Sequence, residues 1–207
     1  VRYVSERLGV TGVNLYARED YAGLTNMNTD PAAMLAGGDM LRGRQERDLA
    51  FIVGKTMSLM RPEFYLGSAY PATDNLKIFL QAALALGTGQ IMADQNVELI
   101  QEYVKLLQRL PDNVQLQIQN QVRAFIESGR NPNLSVWLRS IDHTANRVGL
   151  LLCGDLHRAV SLIKDEKMPI GKATMREKAR ELVVFSTSDA YFKLRADLGL
   201  ALQAQST

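Results

Sequence analysis

Apolar and polar positions change their rhythm along the chain at about residue 43. Before it, Val13-Asn14-Leu15-Tyr16-Ala17 alternates apolar and polar residues, and Ala32 to Ala36 is a short apolar run between Asp30-Pro31 and Gly37-Gly38. Alternation marks a half-buried strand, and a short apolar run bounded by turn residues is strand-like too. Between the two, Asn26 to Pro31 is turn chemistry, because Asn and Asp bond their own backbone and Pro fixes φ. A small sheet of two to four strands is expected here.

After it, the pattern is helical. Arg44 to Met60 carries Leu49, Phe51, Ile52, Val53, Met57, Leu59 and Met60 around most of its circumference. A helix that is apolar all round is a core helix. Pro62 ends it. Further helices are expected from Thr73 to about Leu86, stopped by Gly87-Thr88-Gly89, and as a pair over Asn96 to Leu110 and Val114 to Ser128. Another runs from Asn133 or Ser135 to about Cys153, and three more cover about 154–165, 173–186 and 188–203. The expected fold class is α+β and predominantly helical. A small N-terminal sheet packs on a core helix, and a bundle-like region follows, with seven to eight helices in all. The chain reads as a single domain over 1–207, with 1–43 mainly strands and loops and 44–207 helical.

Composition narrows the function classes. The chain has 207 residues, with 46% hydrophobic and 22% charged, an ordinary globular mix. Lys and Arg number 24 against 22 Asp and Glu, a net charge of +2 that gives no reason to expect nucleic acid as a partner. Arg42, Arg44 and Arg47 cluster, but Glu46 and Asp48 sit among them, as on a solvated helix start. No stretch approaches the ~18 apolar residues of a membrane span. The single Cys153 excludes an internal disulfide framework and fits a reducing, cytoplasmic compartment. The chain begins at Val1 rather than Met, which reads as a fragment or a processed product. Eight Gln between Gln90 and Gln121 alternate with apolar residues and read as solvated helix faces.

Candidate chemistry is sparse. Neither Gly87-Thr88-Gly89 nor Gly37-Gly38 extends into a phosphate-binding fingerprint. Two histidines, His143 and His157, are too few for the usual zinc sets. A non-standard metal hydrolase site around Asp142, His143, Cys153 and His157 is one alternative, and a structural helical scaffold without enzymatic ancestry is another. Asp165-Glu166 reads as exposed loop charge.

Two segments carry the strongest signal, Gly43 to Leu59 and Arg139 to Gly149. Together they resemble the HtpX and CAAX-prenyl-protease type of gluzincin zinc metallopeptidase. In that family a Leu-Ala-Phe-Val-Leu-Gly-like run enters a His-Glu-x-x-His helix, and a second helix supplies a Glu ligand. Ala50 to Gly54 matches the run. Lys55 then stands where the first His would be, Thr56 replaces the general-base Glu, and Leu59 replaces the second His. Arg139 and Ala145 match the second helix, Asp142 stands at the Glu ligand position, and Asn146 stands where the family has Asp. The resemblance therefore implies a scaffold whose ligands have been replaced, with no metal or other cofactor and no catalytic residue. It also implies that the two helices face one another. On that basis Lys55 and Asp142 are expected to meet as an ion pair, with Asn146, one turn on, completing the hydrogen bonding. The alternative for Lys55 is to snorkel to solvent along its methylenes. Met57, Met60 and Phe64 read as ordinary packing near the former cleft.

The helical remainder is also similar to the C-terminal part of bacterial proteins in which a pseudo-peptidase module follows tetratricopeptide repeats. The expected function is a non-catalytic, metallopeptidase-like scaffold that binds a protein partner or peptide segment, including an adjacent helical-repeat region of a longer chain. A sheet edge near the former site is a natural place for strand addition.

Overall fold

The structure is a computed structural model, and it describes residues 1–91, 95–166 and 170–201. The chain is α+β and mostly helical, with eleven helices and one three-stranded sheet among the described residues. Two compact units form, Val1–Pro71 with Leu138–Thr207, and Ala72–Trp137, where the sequence reads as a single domain. The second unit closes its own small core, which the helical pattern alone does not separate from the rest.

The first unit begins with α1 (Arg2–Leu8), a short helix where the sequence reads as strands and loops. Its left-handed Gly9 ends it after two turns. Three strands follow, β1 (Asn14–Arg18), β2 (Leu24–Asn26) and β3 (Ala33–Gly37), in the order β1-β3-β2. The two expected strands are β1 and β3, and they pair in parallel with Asn14 opposite Ala33. β2, three residues long, pairs antiparallel to β3 with Thr25 opposite Leu35, and its first residues precede the turn chemistry that begins at Asn26. The short α2 (Gly38–Leu41) follows β3.

The core helix α3 (Glu46–Ser58) has two buried sides. One side packs Val53 and Met57 on Met34 of the sheet, Val4 of α1 and Leu152. The other gathers Phe51 with Leu150, Leu151 and Cys153 of α8 (Leu134–Cys153), Ala159 and Ile163 of α9 (Leu156–Lys164), Leu182 and Phe185 of α10 (Met175–Ser186), and Tyr191 of α11 (Asp189–Asp197). That double burial is why the apolar residues circle the helix. Pro62 does not merely end α3. It opens a further helix, α4 (Pro62–Ala69), at the N-terminal position where its missing N–H costs nothing. The last helix stops at Asp197, short of the expected 203, with 202–203 outside the described residues. Gly199 adopts φ 67°, and Leu200 N–H bonds Arg195 O at 2.7 Å, which closes the helix C-terminus.

Helices α3 and α8 touch at their glycines. A Cβ on Gly149 would lie 2.7 Å from the Phe51 ring and 2.9 Å from the Phe51 carbonyl oxygen. A Cβ on Gly54 would lie 2.5 Å from Leu152 Cδ1. Arg195 secures the far end of α8, with Nη1 donating to Leu151 O at 2.7 Å. The cysteine beside it, Cys153, is buried, and desolvation pushes its thiol up to about 11.

The second unit is built from α5 (Thr73–Thr88), α6 (Val97–Leu107) and α7 (Asp112–Glu127), with Ile78, Ala82 and Ile100 at its core. Phe79 meets Tyr103 edge-on at 4.5 Å between ring centroids. Helix α5 runs through Gly87, which packs against Val122, and ends at the left-handed Gly89. No helix among the described residues is long and apolar enough to cross a membrane.

Gly149→Ala is expected to lower stability by roughly 1–3 kcal/mol through overpacking against Phe51, read from the urea midpoint. At an uncrowded helix position the same exchange stabilises by up to ~1 kcal/mol, so the sign of the change tests the close approach.

Candidate functional site

Three helices and one turn bring four charged side chains together in the first unit. Lys55 stands in the last turn of α3, Asp142 near the middle of α8, and Lys178 in the first half of α10. Glu166 follows the C-terminus of α9. Each reaches the site for a local reason. Lys55 follows the buried Val53 and Gly54 on a helix that is covered on two sides. Asp142 lies on the same buried face of α8 as Leu138, Ala145, Asn146 and Gly149, at helical spacing. Lys178 lies on the face of α10 that buries Leu182 and Phe185. That helix starts on a full capping box, with Thr174 and Glu177 exchanging hydrogen bonds.

The four groups alternate in sign around a closed ring. Lys55 Nζ is 3.2 Å from Asp142 Oδ1 and 2.6 Å from Glu166 Oε1. Lys178 Nζ is 2.6 Å from Asp142 Oδ2 and 2.8 Å from Glu166 Oε2. Each carboxylate thus gives one oxygen to each ammonium. The contacts to Glu166 are hydrogen bonds, and those to Asp142 are close ion pairs. Exposure grades across the ring, from 0% for the Asp142 side chain and 3% for Lys178 to 13% for Lys55 and 19% for Glu166. Burial alone pulls the Lys178 ammonium down. The Asp142 and Glu166 carboxylates outweigh it, so Lys178 holds its proton more tightly than an ordinary lysine.

Lys55 and Asp142 are therefore in contact, and Lys55 does not snorkel free. Asn146 does not complete the network. It is fully buried, and neither its Oδ1 nor its Nδ2 has a hydrogen-bond partner among the described residues. Glu166, read from sequence as an exposed loop charge, instead closes the ring. A loop carboxylate's destination depends on the path of the chain after α9, which local pattern does not give. Lys178 was legible in principle, as a lysine at helical spacing from Leu182 and Phe185.

The remaining sequence candidates stand as follows. Thr56 and Leu59 are buried. Neither offers a metal a ligand equivalent to histidine or glutamate. Met57 packs in the sheet-side core, and Met60 lines a cavity beside the sheet. His143 is half-buried, with a buried Nδ1 that has no partner among the described residues. His157 is exposed on α9, and Cys153 Sγ faces the carbonyl oxygens of Leu150 and Asp155. Among the described residues, no group of three or more His, Cys, Asp or Glu is placed to hold a metal ion. The residues at the ring do not fit zinc, because both carboxylates are already bound by ammonium groups.

Comparison with protein-family models, curated proteins and solved structures finds no match to this chain.

Removing one ring member leaves a charge without its counter-charge. Lys178→Met is expected to destabilise by roughly 3–5 kcal/mol, and adding Asp142→Leu to recover part of that loss, measured as a double-mutant cycle in urea. Because the folded-state pKa of Lys178 lies above its ordinary 10.5, its contribution is full below that pH. It is lost as the pH rises through the raised value. Stability of the wild type is therefore expected to fall on the alkaline side of pH 10.5, and this fall to be shallower in Lys178→Met, followed by circular dichroism.

Proposed function

We propose that the chain is a non-catalytic domain of metallopeptidase-like design that works by binding another protein. The carrying observation is the closed ring of Lys55, Asp142, Lys178 and Glu166. Hydrolysis on zinc needs three ligands, an open coordination position for water and a base beside it. Here an ammonium group occupies the helix position where the resemblance puts the first histidine. The charges of the ring balance without any ion. What such a domain retains is a rigid frame and the surfaces around it.

The sheet supports the binding part of the reading. β1 lies at one edge of the sheet, and all five of its residues are exposed. Leu15 and Tyr16 are large apolar side chains left in solvent there. An edge strand of this kind offers unpaired backbone groups to an added strand. A protein or peptide partner, an adjacent helical-repeat region of the same chain and a cytoplasmic setting belong to the same proposal.

The test is metal content by mass spectrometry on protein purified without chelator, alongside unfolding of a Lys55→Ala variant. Metal-free wild type with a clearly destabilised variant is the expected result. A stoichiometric transition metal would overturn the reading and turn attention to Asp142, His143, Cys153 and His157.

A further inference from the structure

We infer that the cavity between the β2–β3 connection and the start of α4 receives the basic side chain, arginine above all, of an extended peptide. The inference deepens the binding reading and rests on it. The cavity is a depression open to solvent with about 430 Å³ of space, ample for one long side chain. Asn26, Thr29 and Asp30 line it from the sheet side, and Met60 and Tyr65 from the helix side.

Two hydroxyls of this wall are left as acceptors. Tyr65 Oη donates its proton to Asn28 O at 2.9 Å, and Thr29 Oγ1 donates to Pro31 O at 2.9 Å. Both hydroxyls have thus committed their donors and keep lone pairs. Asp30 adds a carboxylate that forms no salt bridge among the described residues, the single formal charge on the wall. Such a wall selects a ligand rich in donors and positively charged. A guanidinium carries five donors and no acceptor, and it stacks well on an aromatic ring. Tyr65 is 40% exposed and supplies that ring, while Met60 supplies an apolar side for the methylenes.

The opposite edge of the sheet, formed by β2, explains why the ligand is a peptide. Met27 N–H bonds Ala33 O, and Gly37 N–H bonds Gly23 O, so alternate residues of this strand face β3. Leu24 and Asn26 between them direct their backbone groups to the outer edge. A strand added there places a side chain beside the cavity, with backbone pairing for affinity and the pocket for selectivity.

The experiment titrates the labelled chain by nuclear magnetic resonance with a blocked pentapeptide, arginine at its centre between valine and threonine. The same peptide with citrulline or glutamate at the centre is the comparison. Saturable shifts of the Leu24–Asn26 and Tyr65 signals are expected with arginine, and binding about tenfold weaker with citrulline, which keeps the shape and loses the charge. Asp30→Asn is expected to erase that difference while leaving the melting temperature unchanged, since Asp30 is exposed. Equal binding of arginine and citrulline overturns the inference, as does an unaffected Asp30→Asn variant or the absence of saturation at millimolar arginine peptide. Loss of the arginine effect leaves the metal measurement standing. A bound metal overturns the binding-module reading whatever the peptide does.

Discussion

Two ammonium groups and two carboxylates meet where α3, α8 and α10 come together with the turn after α9, and their positions constrain one another. Each ion carries a desolvation cost of several kcal/mol, so such a ring is weak evidence for net stability. It is better evidence for specificity. Slide α3 by one turn and Lys55 leaves both carboxylates. Draw Glu166 away and the two lysines share one fully buried aspartate. A neutral set of four survives only in one relative placement of the three helices. The ion pair between Arg147 and Glu181 and the Arg147 guanidinium 5.1 Å from the Phe185 ring fix the α8–α10 pairing further along.

The glycines make that placement reachable. Gly54 and Gly149 let α3 and α8 approach until backbone and ring are in contact. A helix interior normally loses stability with glycine, by about 1 kcal/mol relative to alanine. Here the cost is offset by the Phe51 cluster, which the close approach brings together. Lys55 directly follows Gly54, so the ring borders that close contact. The accepting cavity between the β2–β3 connection and α4 shares no wall residue with it, so frame and recognition surface occupy separate residues of one unit.

Much of this was legible in the residues. The apolar circumference of Arg44 to Met60 predicts a helix buried on two sides, and α3 is one. That Lys55 and Asp142 meet was expected from the family resemblance and not from the pattern itself, and the two atoms lie 3.2 Å apart. Other parts were hidden for physical reasons. Asn146 shares the buried face of Asp142, yet helical spacing gives a face and not a hydrogen-bond angle. Glu166 reaches the ring through a turn, and turn direction is set by tertiary packing. The helix α1 is short and weakly patterned, and α4 follows a proline that reads equally as a stop or a start. The separate core of α5, α6 and α7 shows the same helical period as the rest, so periodicity alone could not divide the chain.

The order of the pieces has a consequence for synthesis. The first unit is assembled from two stretches of sequence, with the second unit emerging from the ribosome between them. Lys55 and Glu166 are 111 positions apart, an interval on the order of ten seconds of translation. Through most of it, α3 has been made but lacks Leu150 and Ala159, and Leu182, which also covers its second apolar side, follows only later. The second unit draws its contacts from one continuous segment and can close while that side is still open. The nascent chain therefore carries an uncovered apolar helix with a lysine in it, and that lysine's charge helps keep the waiting face in water until its counter-charges arrive.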